Sequence, residues 1–436
     1  MARLRILLVA RDANPDSISL NLEGYSHGHA LAELHDVTIV THAVNVEAIR
    51  RKQKSFHAIV GIKMPWLDRI YSWSLDRIFR HNYHNRALTP FGLPFSVAFE
   101  WRVWRKFRKQ LLDGEFDVVF RVLPANPVIP SPLPYLLRRS SVPFVMGPIN
   151  GGLPWPTGFR QAARQRSWVD RLRGLYRYLP FSRSTYQNAT AIIAGSSQTY
   201  AEFCVYRDKM FFVPENGVNH TLCLENLRRS EPGAKLELIF LGALVPFKAC
   251  DLALRAAASI LREGNAHFSV VGDGPDRNRL EDLACSLGIR ESVTFHGMLA
   301  HAEAMQRLRL ADVMVYPSVR EFGGAVVVEA LAAGAVPCVA DFGGPGDTVR
   351  SDVGFKVPLT TEVEVVTRME EILIKLARDR QLLEQLRRNG MSYARDCFTW
   401  EAKAQSTTQV LNWAVGRETK PNLLPPKLLC DMEALA

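Results

Sequence analysis

The chain has 436 residues, 47% hydrophobic and 22% charged, and no apolar run approaching the ~20 residues of a membrane-spanning helix. Its net charge of +10 is uneven: residues 1–230 carry 31 Lys+Arg against 17 Asp+Glu, whereas 231–436 carry 23 against 27. This argues against a disordered chain and against a membrane-spanning helix, predicts two globular domains of roughly 200 residues, and suggests an anionic partner for the first.

In chain order, Leu4 to Val9 predicts a strand. It runs into Arg11 and Asp12, so it reads as a buried first strand rather than as the core of an export signal. A loop, a helix around Gly28 to Leu34 and a strand at Asp36 to Thr41 complete a β-loop-α-β unit. Further strands are predicted at Phe116 to Phe120, Pro143 to Met146, Ala191 to Ala194 and Met210 to Val213. Leu224 to Lys235 reads as a linker. A second α/β series follows, with strands at Leu236 to Leu241, Phe268 to Val271, Val293 to Phe295, Val313 to Tyr316 and Val336 to Ala340. Helices are predicted between them, at Asp251 to Glu263, Asp276 to Leu287, Ala302 to Leu310 and Ala325 to Ala333, and another spans 361–378. The alternation predicts parallel sheets covered on both faces. The expected domains are 1–225, a linker at 226–235, 236–396, a helix at 397–416 that returns to the first domain, and a tail at 417–436.

Seven cysteines without a C-x-x-C pair predict reduced, buried thiols rather than disulfides or zinc, and the lone His27-x-His29 pair lacks support for a metal. There is no G-x-G-x-x-G with a following acid, which argues against a nicotinamide-dependent oxidoreductase. No recognisable nucleic-acid module accompanies the basic half.

Ligands of open parallel sheets bind beyond the carboxyl ends of the strands. Four such loops stand out in the second half. Gly242 to Lys248 places a lysine before a helix, where it can add to the helix dipole on a phosphate; alone it reads more readily as a solvated lysine. Gly272-Asp273-Gly274-Pro275 is a tight turn. Glu321-Phe322-Gly323-Gly324 should open a helix with unpaired amides, and Glu329 should lie in its second turn among apolar residues. A carboxylate there needs a partner, either a sugar hydroxyl or an arginine. Asp341 to Asp347 is glycine-rich and reads as a loop that either lies against the same ligand or simply turns.

With F-H-G at 295–297, A-D-V-M-V-Y-P-S at 311–318, the Glu321-x7-Glu329 element and A-G-A-V-P at 333–337, the second half resembles the retaining glycosyltransferases of family 4, closely over about 236–360. The first half matches more loosely, through Ala194-Gly195-Ser196 and Pro214 to Val218. Gly147 to Gly152 is similar to a loop of members that build bacterial surface polysaccharides. The resemblance implies the GT-B fold, with two Rossmann-like doubly wound domains and a central cleft. It implies a catalytic pair, Glu321 on the transferred sugar and Lys248 on the diphosphate. Glu329 would hold the ribose, and Gly323 and Gly324 the phosphates. Gly242 and Phe322 would line the donor site, the region His296, Gly297 and Met298 would meet the base, and Gly24 would face the diphosphate from a glycine loop. Departures from the family pattern are Ala243, Glu23-Gly24 and Phe120-Arg121.

The implied reaction is metal-independent transfer with retention, with a sugar nucleotide as co-substrate and no cofactor. The acceptor is a glycan or lipid-linked molecule. Its side of the protein is expected to include Arg121, Asn150, Trp101, Arg105, Lys106 and Arg171, because 101–109 and 160–178 interleave aromatic and basic residues that suit an anionic membrane surface. Trp101, Trp104 and Arg108 share one side of a predicted helix. Core aromatics under a solvated basic face explain the same pattern. The expected location is the cytoplasm, at the inner face of the cell membrane, with no nucleic-acid partner. A non-catalytic GT-B scaffold or nucleotide-binding partner protein is the alternative.

Overall fold

Runs such as Ile6-Leu7-Leu8-Val9 and Val313-Met314-Val315-Tyr316 are apolar at successive positions, so they suit strands covered on both faces. The computed structural model describes residues 2–17, 19–52, 55–65, 89–155, 158–159, 178–223 and 234–425, and in it these runs build two parallel sheets. The first contains β1 (Arg5–Ala10), β2 (Asp36–His42), β3 (Ala58–Ile62), β4 (Val118–Leu123), β5 (Phe144–Ile149), β6 (Ala191–Ala194) and β7 (Met210–Phe212), in the order β3-β2-β1-β4-β5-β6-β7. The second contains β8 (Leu236–Leu241), β9 (Ala266–Val271), β10 (Val293–Gly297), β11 (Val313–Tyr316), β12 (Val336–Ala340) and β13 (Phe355–Val357), in the order β10-β9-β8-β11-β12-β13. Each order reverses beside the sheet's first strand, the doubly wound Rossmann-like pattern. The short strands β3 and β13 are not among the predicted strands.

The chain divides into two units. One collects Met1–Gly151, Ser167–Glu215 and Lys403–Pro425; the other centres on Asn216–Ala402 and takes in the stretch after Gly151. The helix Trp400–Ala414 therefore starts in the second unit and continues in the first. His27 and His35 fix it there, through Thr407 Oγ1 at 2.9 Å and Thr408 Oγ1 at 2.8 Å. Most of the expected linker lies outside the described residues.

In the second unit, the helix Cys250–Arg262 buries Leu252, Leu254, Ala257, Ile260 and Leu261 and packs beside the helix Glu362–Arg378. The helix Ala325–Ala333 is apolar on nearly every side and lies between the helices Arg380–Phe398 and His301–Leu310. Gly324, at φ 71°, turns the chain into it, in a conformation that a side chain would strain. Gly334, at φ 84°, ends it.

Four expectations are corrected. Residues 341–347 are not a plain loop: Gly343–Thr348 is a short helix. Gly24 is not in a loop either. It sits inside the helix Leu20–Leu34 against Leu123, and a Cβ there would come within 2.4 Å of that side chain. In the helix Thr89–Leu112 the buried stripe is Phe99, Val103, Phe107 and Leu111, a four-residue spacing, while Trp101 and Arg108 are exposed. The described cysteines are free thiols, but Cys204, Cys285 and Cys397 are exposed and only Cys223, Cys250 and Cys338 are buried.

Candidate active site

The second sheet reverses between β8 and β11, and loops leaving the carboxyl ends of two such strands flank the place where a doubly wound domain binds its ligand. The β8 loop carries Lys248, at the end of a short turn, Pro246–Lys248, just before the helix Cys250–Arg262. The β11 loop carries Glu321. The Lys248 ammonium is ion-paired with the Glu321 carboxylate, and both side chains are mostly buried. Tyr316, the last residue of β11, completes the cluster. Its hydroxyl donates to Glu321 Oε2 at 2.8 Å and lies 2.6 Å from Lys248 Nζ. Tyr316 lies in the A-D-V-M-V-Y-P-S run, but it was not among the expected site residues.

The Glu321 loop is held from two sides. Arg320, buried beside it, donates from Nε and Nη2 to the Leu153 carbonyl at 3.4 and 3.3 Å, and its guanidinium stacks on Trp155 at 4.3 Å and Phe322 at 5.3 Å. Gly344 N–H donates to the Glu321 carbonyl at 3.1 Å. The backbone of 343–344 packs so closely on this loop that a Cβ on Gly344 would sit 2.2 Å from the Gly323 carbonyl oxygen. Gly323 and Gly324 then lead into the helix Ala325–Ala333, whose first amides point back along its axis toward the loop.

Glu329 lies in the second turn of that helix, 21% exposed among buried valines and alanines. Its partner is not an arginine: Oε1 is 2.9 Å from Nε2 of His301, the first residue of the neighbouring helix. This histidine was not legible in the sequence. The hydrogen bond to Glu329 raises the His301 pKa above the ordinary histidine value, although burial opposes it.

The other residues of the second half expected on the donor side lie on the same unit. Gly242 follows β8, and its carbonyl packs against Gly272 so closely that a Cβ there would come within 2.0 Å of the oxygen. Gly297 closes β10 and accepts from the Gly272 amide at 2.9 Å. His296 Nε2 is 3.3 Å from Ser269 Oγ, and burial lowers its pKa. Met298 is 74% exposed.

On the first unit, Arg121 is a correction. It is 1% exposed and ion-paired at 2.7 Å with Glu100, itself 1% exposed, and its Nη2 donates to the Ile129 carbonyl at 3.1 Å. It is a core residue and presents no charge to an acceptor. Asn150 is also enclosed. Its Nδ2 donates to Glu215 Oε2 at 2.5 Å, and its Oδ1 accepts from Ser196 Oγ at 3.0 Å. Lys403 donates to the Glu215 carbonyl, and burial pushes its pKa down to about 7. Trp101, Arg105 and Lys106 are exposed on the helix Thr89–Leu112. Arg171 and the rest of 160–177 lie outside the described residues.

Comparison with solved structures shows the same two-sheet GT-B architecture. The structure of Anabaena HepE in complex with UDP aligns with a TM-score of 0.61 at 15% identity, covering 94% of this chain and 100% of that one. An uncharacterized glycosyltransferase of Methanocaldococcus jannaschii is 29% identical over 251 residues, 53% of this chain and 62% of its own length. The D-inositol 3-phosphate glycosyltransferase of Nocardia farcinica is 31% identical over 182 residues, 40% of this chain and 39% of its own. The chain thus spans less than two thirds of the length of these curated relatives. Residues 226–392, which carry Lys248, Glu321 and Glu329, match the family model described as glycosyl transferases group 1.

Proposed function

We propose that the protein is a glycosyltransferase that moves a sugar from a nucleoside diphosphate to a glycan or lipid-linked acceptor, with retention of configuration and without a metal ion. The observation that carries this reading is the Lys248–Glu321–Tyr316 cluster at the reversal point of the second sheet, one loop away from the helix that bears Glu329.

Breaking the sugar–diphosphate bond builds negative charge on the leaving oxygen. Lys248 is placed to meet that charge, and the amides that open the helix Ala325–Ala333 add to it. When a diphosphate takes the ammonium, Glu321 is released to accept hydrogen bonds from the sugar, with Tyr316 still fixing its orientation. Glu329 is suited to a ribose diol, since two carboxylate oxygens can accept from two neighbouring hydroxyls. The 226–392 family match and the curated relatives support transfer from a sugar nucleotide. The test is a panel of UDP-, GDP- and ADP-sugars incubated with the protein in excess chelator, with the product anomer assigned by NMR. Turnover with retention is expected; strict metal dependence or inversion would defeat the mechanism.

For the acceptor, Trp101, Arg105, Arg108 and Leu112 recur at helical spacing and are all exposed, with Lys106 and Lys109 beside them. An aromatic and basic face of this kind fits the headgroup region of an anionic bilayer, where a lipid-linked acceptor would reside. Flotation with liposomes should show binding that grows with anionic lipid and falls at high salt. Equal recovery with neutral liposomes would remove the anionic headgroups from this reading, and no flotation with anionic liposomes would remove the membrane.

A further inference from the structure

His301 opens the helix His301–Leu310, and its ring is three-quarters exposed, so it can leave its partner without disturbing the core. Glu329 is fixed in a helix packed on both sides. The bond between them occupies Oε1, one of the two oxygens that a ribose diol would use. Among the described residues, Glu329 is the charge that acts on the His301 ring. The helix Arg380–Phe398, packed on the other side of the Glu329 helix, carries Glu384, Arg387 and Arg388, of which Arg387 pairs with Asp312 and Glu384. Glu329 is the one titratable group of the helix Ala325–Ala333. On the His301 helix, Glu303 accepts from the Ala300 amide at 3.3 Å. Arg307 and His296 of β10 act on one another.

We propose that His301 is a proton-linked competitor for the ribose position: the two hydroxyls of an incoming nucleotide displace the imidazolium from Glu329, and the freed ring gives its proton to solvent. The inference rests on the reading that Glu329 holds the ribose. No covalent bond changes. A charge-assisted hydrogen bond is exchanged for two from neutral hydroxyls, and within a limited pH window up to one proton is expelled for each nucleotide bound. The sign follows from linkage. In the free protein Glu329 holds the His301 pKa above the ordinary range; once displaced, the ring returns to that range. Between the two values the free protein carries a proton that the complex lacks, so nucleotide affinity rises with pH, by up to about tenfold per unit for one proton. Below and above that window the contribution is flat. The pair thus weakens nucleotide retention in acid without altering the residues that bind the diphosphate.

The experiment is calorimetric titration of the full chain with UDP from about pH 6 to about pH 8.5, on the parent and on His301→Ala; ADP or GDP replaces UDP if the sugar-nucleotide panel selects another base. The ligand's own phosphate titrates in this range, equally for both proteins, so the ratio of their affinities is the readout. His301→Ala should bind several-fold tighter than the parent at the acid end and converge with it at the alkaline end. Only the parent should release a proton from this site when measured in buffers of different ionisation enthalpy. The 2′,3′-dideoxynucleotide, which has no diol to offer, should abolish the difference between the proteins. A ratio that stays constant with pH, or weaker binding by His301→Ala throughout, overturns the proposal. Glu329→Gln separates the two failures: if it binds the nucleotide and its dideoxy form as the parent does, the ribose reading itself has failed. If it loses the preference for the diol while His301→Ala matches the parent, only the His301 inference falls.

Discussion

Lys248→Ala should lower kcat by about 10²- to 10³-fold, the loss typical when one charge-stabilising donor is removed from an enclosed site. The side chain sits at the reversal point of the second sheet and holds Glu321 together with Tyr316. Alanine would take away the cation proposed to meet the leaving diphosphate. It would also leave Glu321 with Tyr316 alone at 2.8 Å. Both effects fall on the chemical step, so kcat should drop more than KM rises. Lys248→Arg is the informative companion. It keeps the charge, but its planar fork cannot place a single compact ammonium between a hydroxyl and a carboxylate, so only partial recovery is expected. The fold should survive, because Lys248 lies on a loop and the strands β8 and β11 pair without it. Donor consumption and product formation, measured on samples with the parent's circular dichroism, provide the check. A kcat within threefold of the parent would show that Lys248 does not serve the leaving group.

The second sheet and its loops were legible because local signals there agree with the tertiary outcome. β8, β11, β12 and the helix Ala325–Ala333 have the predicted bounds, since apolar runs are cut off sharply by Gly242, Gly324 and Gly334. The order of motif residues then placed Lys248 and Glu321 on the correct loops. Tyr316 and His301 were not legible. Each acts on a partner on another element, or five residues away across a loop, and nothing in either residue's own neighbourhood marks that contact. Gly24 misled for a definite reason. The resemblance implies a glycine loop at Glu23-Gly24, whereas here the glycine lies inside a helix, where it costs roughly 1 kcal/mol relative to alanine. The cost is met because Leu123 fills the space that a side chain would take. The helix Thr89–Leu112 offers two apolar stripes, and tryptophans drew attention to the exposed one. The stripe that faces the core also buries Glu100, which is tolerable only because Arg121 lies opposite. A charge pair formed across the chain has no local pattern, so Arg121 looked free.

The same blindness hid a pair that matters more for stability. Arg387→Ala should destabilise the second unit by about 3–5 kcal/mol, the cost of leaving a buried charge without its partner. The Arg387 and Asp312 side chains are 1% and 6% exposed, with Nη2 2.6 Å from Oδ1. Asp312 also accepts from the Glu237 amide at 2.9 Å, and its backbone bonds to Glu237 and Val336, so it sits where β8, β11 and β12 begin. Arg387 thereby ties the helix Arg380–Phe398 to the end of the sheet opposite Lys248 and Glu321. Alanine would remove the shorter of the two ion pairs on this carboxylate, in a site that water reaches poorly, and would leave Arg380 facing it at 3.6 Å. For a unit of this size the loss corresponds to a fall in Tm of about 10 °C. The double variant Asp312→Asn with Arg387→Met decides the cause. Asparagine keeps an acceptor for the Glu237 amide and carries no charge, and methionine retains much of the arginine stem's packing. If the orphaned charge is what destabilises Arg387→Ala, the double variant should recover most of the loss in thermal and denaturant unfolding. If it is no more stable than Arg387→Ala, the lost packing of the stem, rather than the uncompensated carboxylate, is the cause.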